Sequence, residues 1–194
     1  MTNEPLWTPT SARRATANLR DFEAFVRGRH GVALEGFRAV QAWSLQQAPA
    51  FWDAVWDFCK VRASAKGDIV IAHPGRMPHA GFFPEARLNY AENILRRTGD
   101  EPALIFRAET GARSVVSWRG LNEQVSQLQQ ALQRLGVEKG DRVCAVVPNH
   151  PAAVVGLLAC ASLGAIWSSC SPDFGERGIL DRFGQIEPKV LLCC

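Results

Sequence analysis

The sequence has no excess of one charge, no long apolar run and no paired-cysteine signature. Its 194 residues carry 22 Lys and Arg against 19 Asp and Glu, a net charge of +3. Arg13-Arg14 and Arg96-Arg97 are its only adjacent basic pairs, so neither a nucleic-acid tract nor an anionic-membrane patch is indicated. The most apolar stretch, Val154 to Trp167, is 14 residues long and contains two glycines and a serine. A bilayer span needs about 20 apolar residues, so this segment is expected to be core. Met1-Thr2-Asn3-Glu4-Pro5 lacks a charged and then apolar leader pattern, which makes the cytoplasm the expected location.

The six cysteines, Cys59, Cys144, Cys160, Cys170, Cys193 and Cys194, show no CxxC spacing and are expected to be reduced thiols. Three of them sit in apolar runs, where cysteine behaves as a small buried hydrophobe. His73 and His79 flank a Pro/Gly-rich connector with no Cys or carboxylate at ligand spacing, so no metal site is assigned. GxxxxGK[ST], GxGxxG and GxSxG are all missing, which leaves no P-loop, dinucleotide fingerprint or hydrolase elbow. No repeat of 20 to 50 residues and no low-complexity tract occurs.

What is present is a run of alternating elements between Gly140 and Cys194. Arg142 to Val147 is a β-branched apolar run closed by Pro148, with Asn149 the expected cap of a helix that begins near Pro151 and stops at Gly164. Ala165 to Ser169 reads as a second strand, Cys170-Ser171-Pro172-Asp173 as a polar turn at its carboxyl end, Gly175 to Gln185 as a helix, and Lys189 to Cys193 as a third strand. A helix of about 13 residues and a strand of about six both span roughly 20 Å, so each helix can return the chain to start a parallel neighbour. Ligands of such sheets sit outside the carboxyl ends of the strands. Asp173 and Asp181 are the carboxylates best placed for a cleft, although lone aspartates at this spacing are more often capping and surface charge.

Upstream, a Thr8-Pro9-Thr10-Ser11 turn is expected to cap one helix running to about Arg29, and a second amphipathic helix begins at Pro49. The second places Phe51, Trp52, Val55, Trp56 and Phe58 at helical spacing, the pattern of a core or docking stripe. Asn89 is expected to cap a short helix from Tyr90 to Arg97. Pro102 to Arg107 and Arg113 to Trp118 form a hairpin, and Ser117 or Trp118 starts a helix carrying Leu121, Val125, Leu128, Leu132 and Leu135.

Two motif blocks carry a resemblance: Gly164-Ala165-Ile166-Trp167-Ser168-Ser169-Cys170-Ser171-Pro172-Asp173-Phe174-Gly175 and Leu180-Asp181-Arg182-Phe183-Gly184-Gln185-Ile186-Glu187-Pro188-Lys189. With Arg87-Leu88-Asn89-Tyr90-Ala91-Glu92-Asn93, the Lys139-Gly140-Asp141-Arg142-Val143 turn and the Phe51-Trp52 helix, they closely resemble the acetoacetyl-CoA synthetases of the acyl-adenylate-forming superfamily. Cys170 stands where that family usually has Thr. The resemblance implies an α/β fold in which a helical extension, residues 1 to 85, precedes an incomplete doubly wound parallel sheet, residues 86 to 194, the first part of an AMP-binding ligase domain.

It also implies a ligase that uses ATP, Mg²⁺ and CoA on acetoacetate, with no nucleic-acid or membrane partner. The phosphate loop, the adenine and ribose motifs and the catalytic Lys of such enzymes lie downstream of these residues, so no catalytic residue is assigned and the rest of the same enzyme is the expected partner. By the same resemblance Ser171, Pro172 and Asp173 fall beside the CoA entrance. A purely structural role, in which Pro172 and Asp173 cap the next helix, is equally open. Val190, Leu191 and Leu192 lack a second cover, and exposing such side chains forfeits about 1.5 to 3 kcal/mol each, so this stretch alone is expected to be marginally stable. A non-catalytic docking module and a ligase for another short acid are the alternatives.

Overall fold

The computed structural model describes residues 5–76 and 78–193, which leaves the Met1 to Glu4 leader reading, Met77 and Cys194 outside the described residues. Two compact units follow one another, Met1–Arg87 and Leu88–Cys194.

The first unit is helical. α1 (Ser11–Ala15) and α2 (Asn18–His30) replace the single helix expected from Ser11 to Arg29. Thr10 caps α1 as expected, its Oγ1 accepting from the Arg13 N–H at 3.2 Å. The break comes at Thr16, whose hydroxyl turns back onto the Ala12 carbonyl at 3.2 Å, and at Ala17, which is extended at ψ 136°. A helix that the sequence reading did not anticipate, α3 (Gly36–Gln46), precedes α4 (Ala48–Phe58). Its first N–H, on Gly36, donates to Glu23 Oε1 of α2 at 2.8 Å, so its cap comes from a different helix. Phe22, Val26, Leu34, Val40, Trp43 and Ala54 form the core.

The α4 stripe divides. Phe51 and Phe58 meet Phe22 edge to face at 5.9 and 5.2 Å, whereas Trp52 and Trp56 face Phe82 and Phe83. On the polar side of α4, Asp53 and Asp57 each pair with both Arg29 and Lys66. Two short strands, β1 (Ile71–Ala72) and β2 (Gly81–Phe82), pair antiparallel.

The second unit opens with α5 (Tyr90–Ile94), capped by Asn89 Oδ1 on the Glu92 N–H at 3.2 Å and three residues shorter than expected. The amide of Asn89 also donates to the Ala161 and Ser162 carbonyls, 2.9 and 3.2 Å away. The hairpin of β3 (Pro102–Arg107) and β4 (Arg113–Ser117) leads into α6 (Trp118–Arg134), where Ser117 Oγ accepts from the Gly120 N–H at 3.1 Å.

β5 (Arg142–Val146), α7 (Pro151–Ser162), β6 (Ile166–Cys170), α8 (Gly175–Gly184) and β7 (Val190–Cys193) then alternate, close to the expected bounds. The three strands are parallel in the order β6-β5-β7. β5 is central and its side chains alternate between two cores. Val143 joins Leu121, Leu132, Val155 and Leu158 on the α6/α7 face, while Cys144 joins Cys170 and Phe183 on the α8 face. Helices therefore cover both faces, the doubly wound α/β arrangement the sequence implied. Leu191 of β7 remains half exposed.

Candidate functional site at the carboxyl edge of the sheet

The carboxyl ends of β5 and β6 are tied together by the Val147 N–H, which donates to the Cys170 carbonyl at 3.0 Å. After β5 the chain passes Pro148 and Asn149, and the cap of α7 is His150, not the expected Asn149: its Nδ1 accepts from the Ala152 N–H at 3.2 Å. The shift of one residue follows from Pro151, which occupies the first helical turn and leaves the position immediately before it for the cap. The His150 ring meets Phe106 edge to face at 5.0 Å.

After β6, Ser171, Pro172 and Asp173 form a tight turn that continues as a single 3₁₀ turn, Pro172–Phe174. The Ser171 hydroxyl donates to Asp173 Oδ2 at 2.8 Å, and the Asp173 N–H returns to Ser171 Oγ at 3.3 Å. The residue before α8 is Phe174, with no side-chain cap, so neither Pro172 nor Asp173 caps that helix by a side-chain bond. Pro172 and Asp173 are exposed. Pro172 borders an apolar hollow of about 380 Å³ on the α8 face with Val146, Ile179, Leu180 and Leu191. On the α6/α7 face a larger hollow of about 490 Å³ lies over Ala145, Val147, Val155, Trp167 and Leu192, with His150 at its rim. Asp181 is exposed on α8.

Trp167 owes its place to Gly156. A Cβ there would stand 2.3 Å from the indole, so α7 carries a bare backbone where the ring lies. The sequence reading took Gly156 only as a glycine in an apolar helix. Its signal was the bulky aromatic in the next strand, which needs room against the covering helix.

The thiols of Cys144 and Cys160 are not activated. Burial raises the Cys144 thiol above its ordinary value and lifts Cys160 to about 11, and Cys170 is buried with them. These three act as core side chains. Cys59 and Cys193 are exposed. His73 and His79 are exposed in the connector, and among the described residues no three His, Cys, Asp or Glu side chains gather as a metal would require. No residue of this chain is assigned to Mg²⁺.

Residues 91–194 match the family of AMP-binding enzymes. The chain belongs to that family. It is 47% identical over 190 residues to the acetoacetyl-coenzyme A synthetase of Rhizobium meliloti (strain 1021), covering 98% of this chain and 29% of that protein. A malonamoyl-CoA synthetase of Penicillium aethiopicum is 36% identical over 195 residues, covering 97% of this chain and 27% of its own length. Among solved structures, the acetoacetyl-CoA synthetase from Streptomyces lividans superposes with a TM-score of 0.89 at 45% identity, over 98% of this chain and 30% of that one. The chain thus spans under a third of the length of the relatives it matches. Among its described residues no helix is long and apolar enough to cross a membrane.

Within this member of the AMP-binding enzyme family, the two motif blocks meet in space. Phe174, from the first, lies along α8 over Gly178, and the Arg182 guanidinium, from the second, sits 4.0 Å from its ring centroid. The spacing of four and eight residues along one helix face carried that signal, but the sequence reading took Arg182 only as part of a motif.

Proposed function

We propose that this chain is the N-terminal part of a cytoplasmic acetoacetate-CoA ligase, with residues 1 to 85 as a helical extension and residues 86 to 194 as the first part of the AMP-binding ligase domain. The observation that carries the reading is likeness over nearly the whole chain, in sequence and in backbone, to acetoacetyl-CoA synthetases. Support for a partition near this point comes from the division into units after Arg87 and from the start of the family match at residue 91.

The reaction has two halves. A carboxylate is a poor acyl donor, so ATP, assisted by Mg²⁺, converts acetoacetate to a mixed anhydride with AMP and releases pyrophosphate. The CoA thiol then attacks the acyl carbon and AMP leaves. The first half needs a phosphate cradle and charge stabilisation around the transferred oxygens. No Gly-rich phosphate loop occurs in these 194 residues, so that machinery is placed in the remainder of the enzyme, the partner this chain requires. The contribution proposed for this chain is to the second half: Ser171, Pro172 and Asp173 border the CoA entrance. An exposed turn outside the carboxyl end of a parallel strand is the position where such sheets contact ligands, and its carboxylate is not consumed in capping α8.

The test is made on the full-length protein. Acetoacetate-dependent exchange of pyrophosphate into ATP, followed by formation of acetoacetyl-CoA when CoA is added, is the expected result. Absence of any acid-dependent exchange overturns the ligase reading. A ligase for another short acid is the second reading, drawing on the malonamoyl-CoA synthetase relative. A markedly higher kcat/KM for malonamate or acetate than for acetoacetate favours it.

A further inference from the structure

The Ser171–Asp173 turn is joined to α8 through Gly175, whose backbone, at φ 64° and ψ 171°, lies in a region that only glycine occupies readily. A residue without a Cβ at that junction is a swivel. Among the described residues the turn's side chains are held by two devices. One is internal, the pair of Ser171 and Asp173 hydrogen bonds. The other is the seating of Phe174, and this one reaches across to the helix.

Phe174 is half exposed, and one side of its ring lies beside Gly178 and Arg182 of α8. Its Cβ lies 3.3 Å from where a side chain on Gly178 would begin, so the missing side chain allows the ring to lie against α8. One turn further on, Arg182 places its guanidinium 4.0 Å from the ring centroid, well inside the range of about 6 Å for attraction between a cation and an aromatic face. No carboxylate among the described residues lies within ion-pair distance of Arg182. Its position in the last turn of α8 favours a positive charge, but that effect acts along the helix axis and does not direct the side chain onto Phe174. The ring is held by Gly178 below and Arg182 above, with the swivel between it and the helix.

We propose that Arg182 is a positioning residue for CoA: by clamping Phe174 to α8 it fixes the turn that presents Ser171 and Asp173. The inference rests on the reading of that turn as the CoA entrance. Arg182 does not touch the reacting atoms in this scheme. Its loss leaves the turn able to pivot about Gly175, which weakens CoA capture without altering formation of the adenylate.

In the full-length enzyme, Arg182→Ala is expected to raise the KM for CoA about two- to fivefold, the factor that an exposed contact of this kind represents, while acid-dependent pyrophosphate exchange stays at the wild-type rate. Arg182→Lys, which keeps a cation over the ring, restores most of the loss. Phe174→Leu, which covers Gly178 but has no aromatic face, raises the KM similarly, and the Phe174→Leu, Arg182→Ala pair does no more than either alone. The same decision can be read from Phe174→Leu and Arg182→Lys if Arg182→Ala fails to fold. An unchanged CoA KM for Arg182→Ala, with Asp173→Ala raising it, overturns the clamp and leaves the turn's role standing. No change in either variant overturns both. An equal fall in the two half-reactions with a lowered Tm marks Arg182 as a structural residue only, and also overturns the proposal.

Discussion

Lys189 Nζ lies 2.7 Å from Asp141 Oδ2 and 2.5 Å from the Gly136 carbonyl, so one ammonium joins the start of β7 to the turn that feeds β5. Asp141 completes the arrangement by accepting from the Glu138 N–H at 2.8 Å. Beside it, Arg142 donates from Nε to the Ile186 carbonyl and from its other nitrogen to the Glu187 carbonyl, at 2.8 and 3.1 Å. The Lys-Gly-Asp-Arg-Val turn and the Glu-Pro-Lys segment, 48 residues apart at Asp141 and Lys189, are thus two sides of one contact that sets the register of neighbouring parallel strands.

This contact makes acid stability depend on Asp141. The hydrogen bond from Lys189, followed by that from the Glu138 N–H, holds its carboxyl below the ordinary value of 3.8. A carboxyl depressed in the folded state stabilises the fold above the unfolded value, and the contribution is lost as pH falls through the folded one. Asp141→Asn is therefore expected to lower Tm at pH 6 and to flatten the decline of stability below about pH 4, with Lys189→Met behaving alike at pH 6. Urea midpoints measured between pH 3 and 6 check both. An Asp141→Asn profile parallel to wild type through the acid limb refutes the assignment.

Glu23 holds the N-terminus of α3 from outside it. The side chain is buried, 4% exposed, and its carboxylate accepts from the Gly36 N–H and from Arg20, each at 2.8 Å. Glu23→Ala leaves that N–H without its partner, at a cost of about 1 to 3 kcal/mol. Hydrogen exchange is expected to show the loss first at the amides of residues 36 to 39. Uniform acceleration across α2, α3 and α4, with no excess at Gly36, contradicts the capping role.

That helix also shows where sequence reading ran out. The second unit was legible almost throughout, because each of its elements is specified by neighbours: a cap at Asn89 or Ser117, a leucine repeat on α6, a β-branched run for β5 and a glycine at Gly164 with φ 70°. α3 has no such signature. Its cap is supplied 13 residues upstream by Glu23, and its only buried residues are Val40 and Trp43. The break between α1 and α2 falls at Ala17, whose backbone is extended, with the Thr16 hydroxyl and N–H both turned onto the Ala12 carbonyl, a local feature that periodicity does not register. At the candidate site the turn itself was visible from its position after a strand. The Phe174 and Arg182 contact was not, because each residue was read within its own motif.

Gly156 is a position in the core where one added carbon should matter. Its Cβ would fall 2.3 Å from the Trp167 ring, inside a core where α7 closes on β6. Gly156→Ala is expected to destabilise by about 1 to 3 kcal/mol, the usual range for overpacking a close-packed site. Shortening the partner should reverse it: Trp167→Leu relieves the clash, so Gly156→Ala costs less in that background. Chemical denaturation of the four proteins in the cycle measures the coupling. Additive effects show that the helix and the ring are not in contact.

Gly175 offers the complementary case, a glycine with nothing crowding it. Beyond its chain neighbours and the backbone of α8, nothing lies within 4 Å of where a Cβ would stand, so space is not the constraint; the backbone at φ 64° and ψ 171° is. A Cβ in that conformation costs about 1 to 3 kcal/mol, and the chain can escape only by rotating the 3₁₀ turn away from α8. Gly175→Ala is therefore expected to lower Tm modestly and to raise the KM for CoA in the full-length enzyme, leaving acid-dependent pyrophosphate exchange intact. The size of the two effects separates strain from displacement. A Tm drop with unchanged CoA dependence means that the turn keeps its place and stores the strain. A raised KM alongside the modest Tm drop means that the turn has moved, which is the outcome expected on the proposal that Ser171 and Asp173 border the CoA entrance.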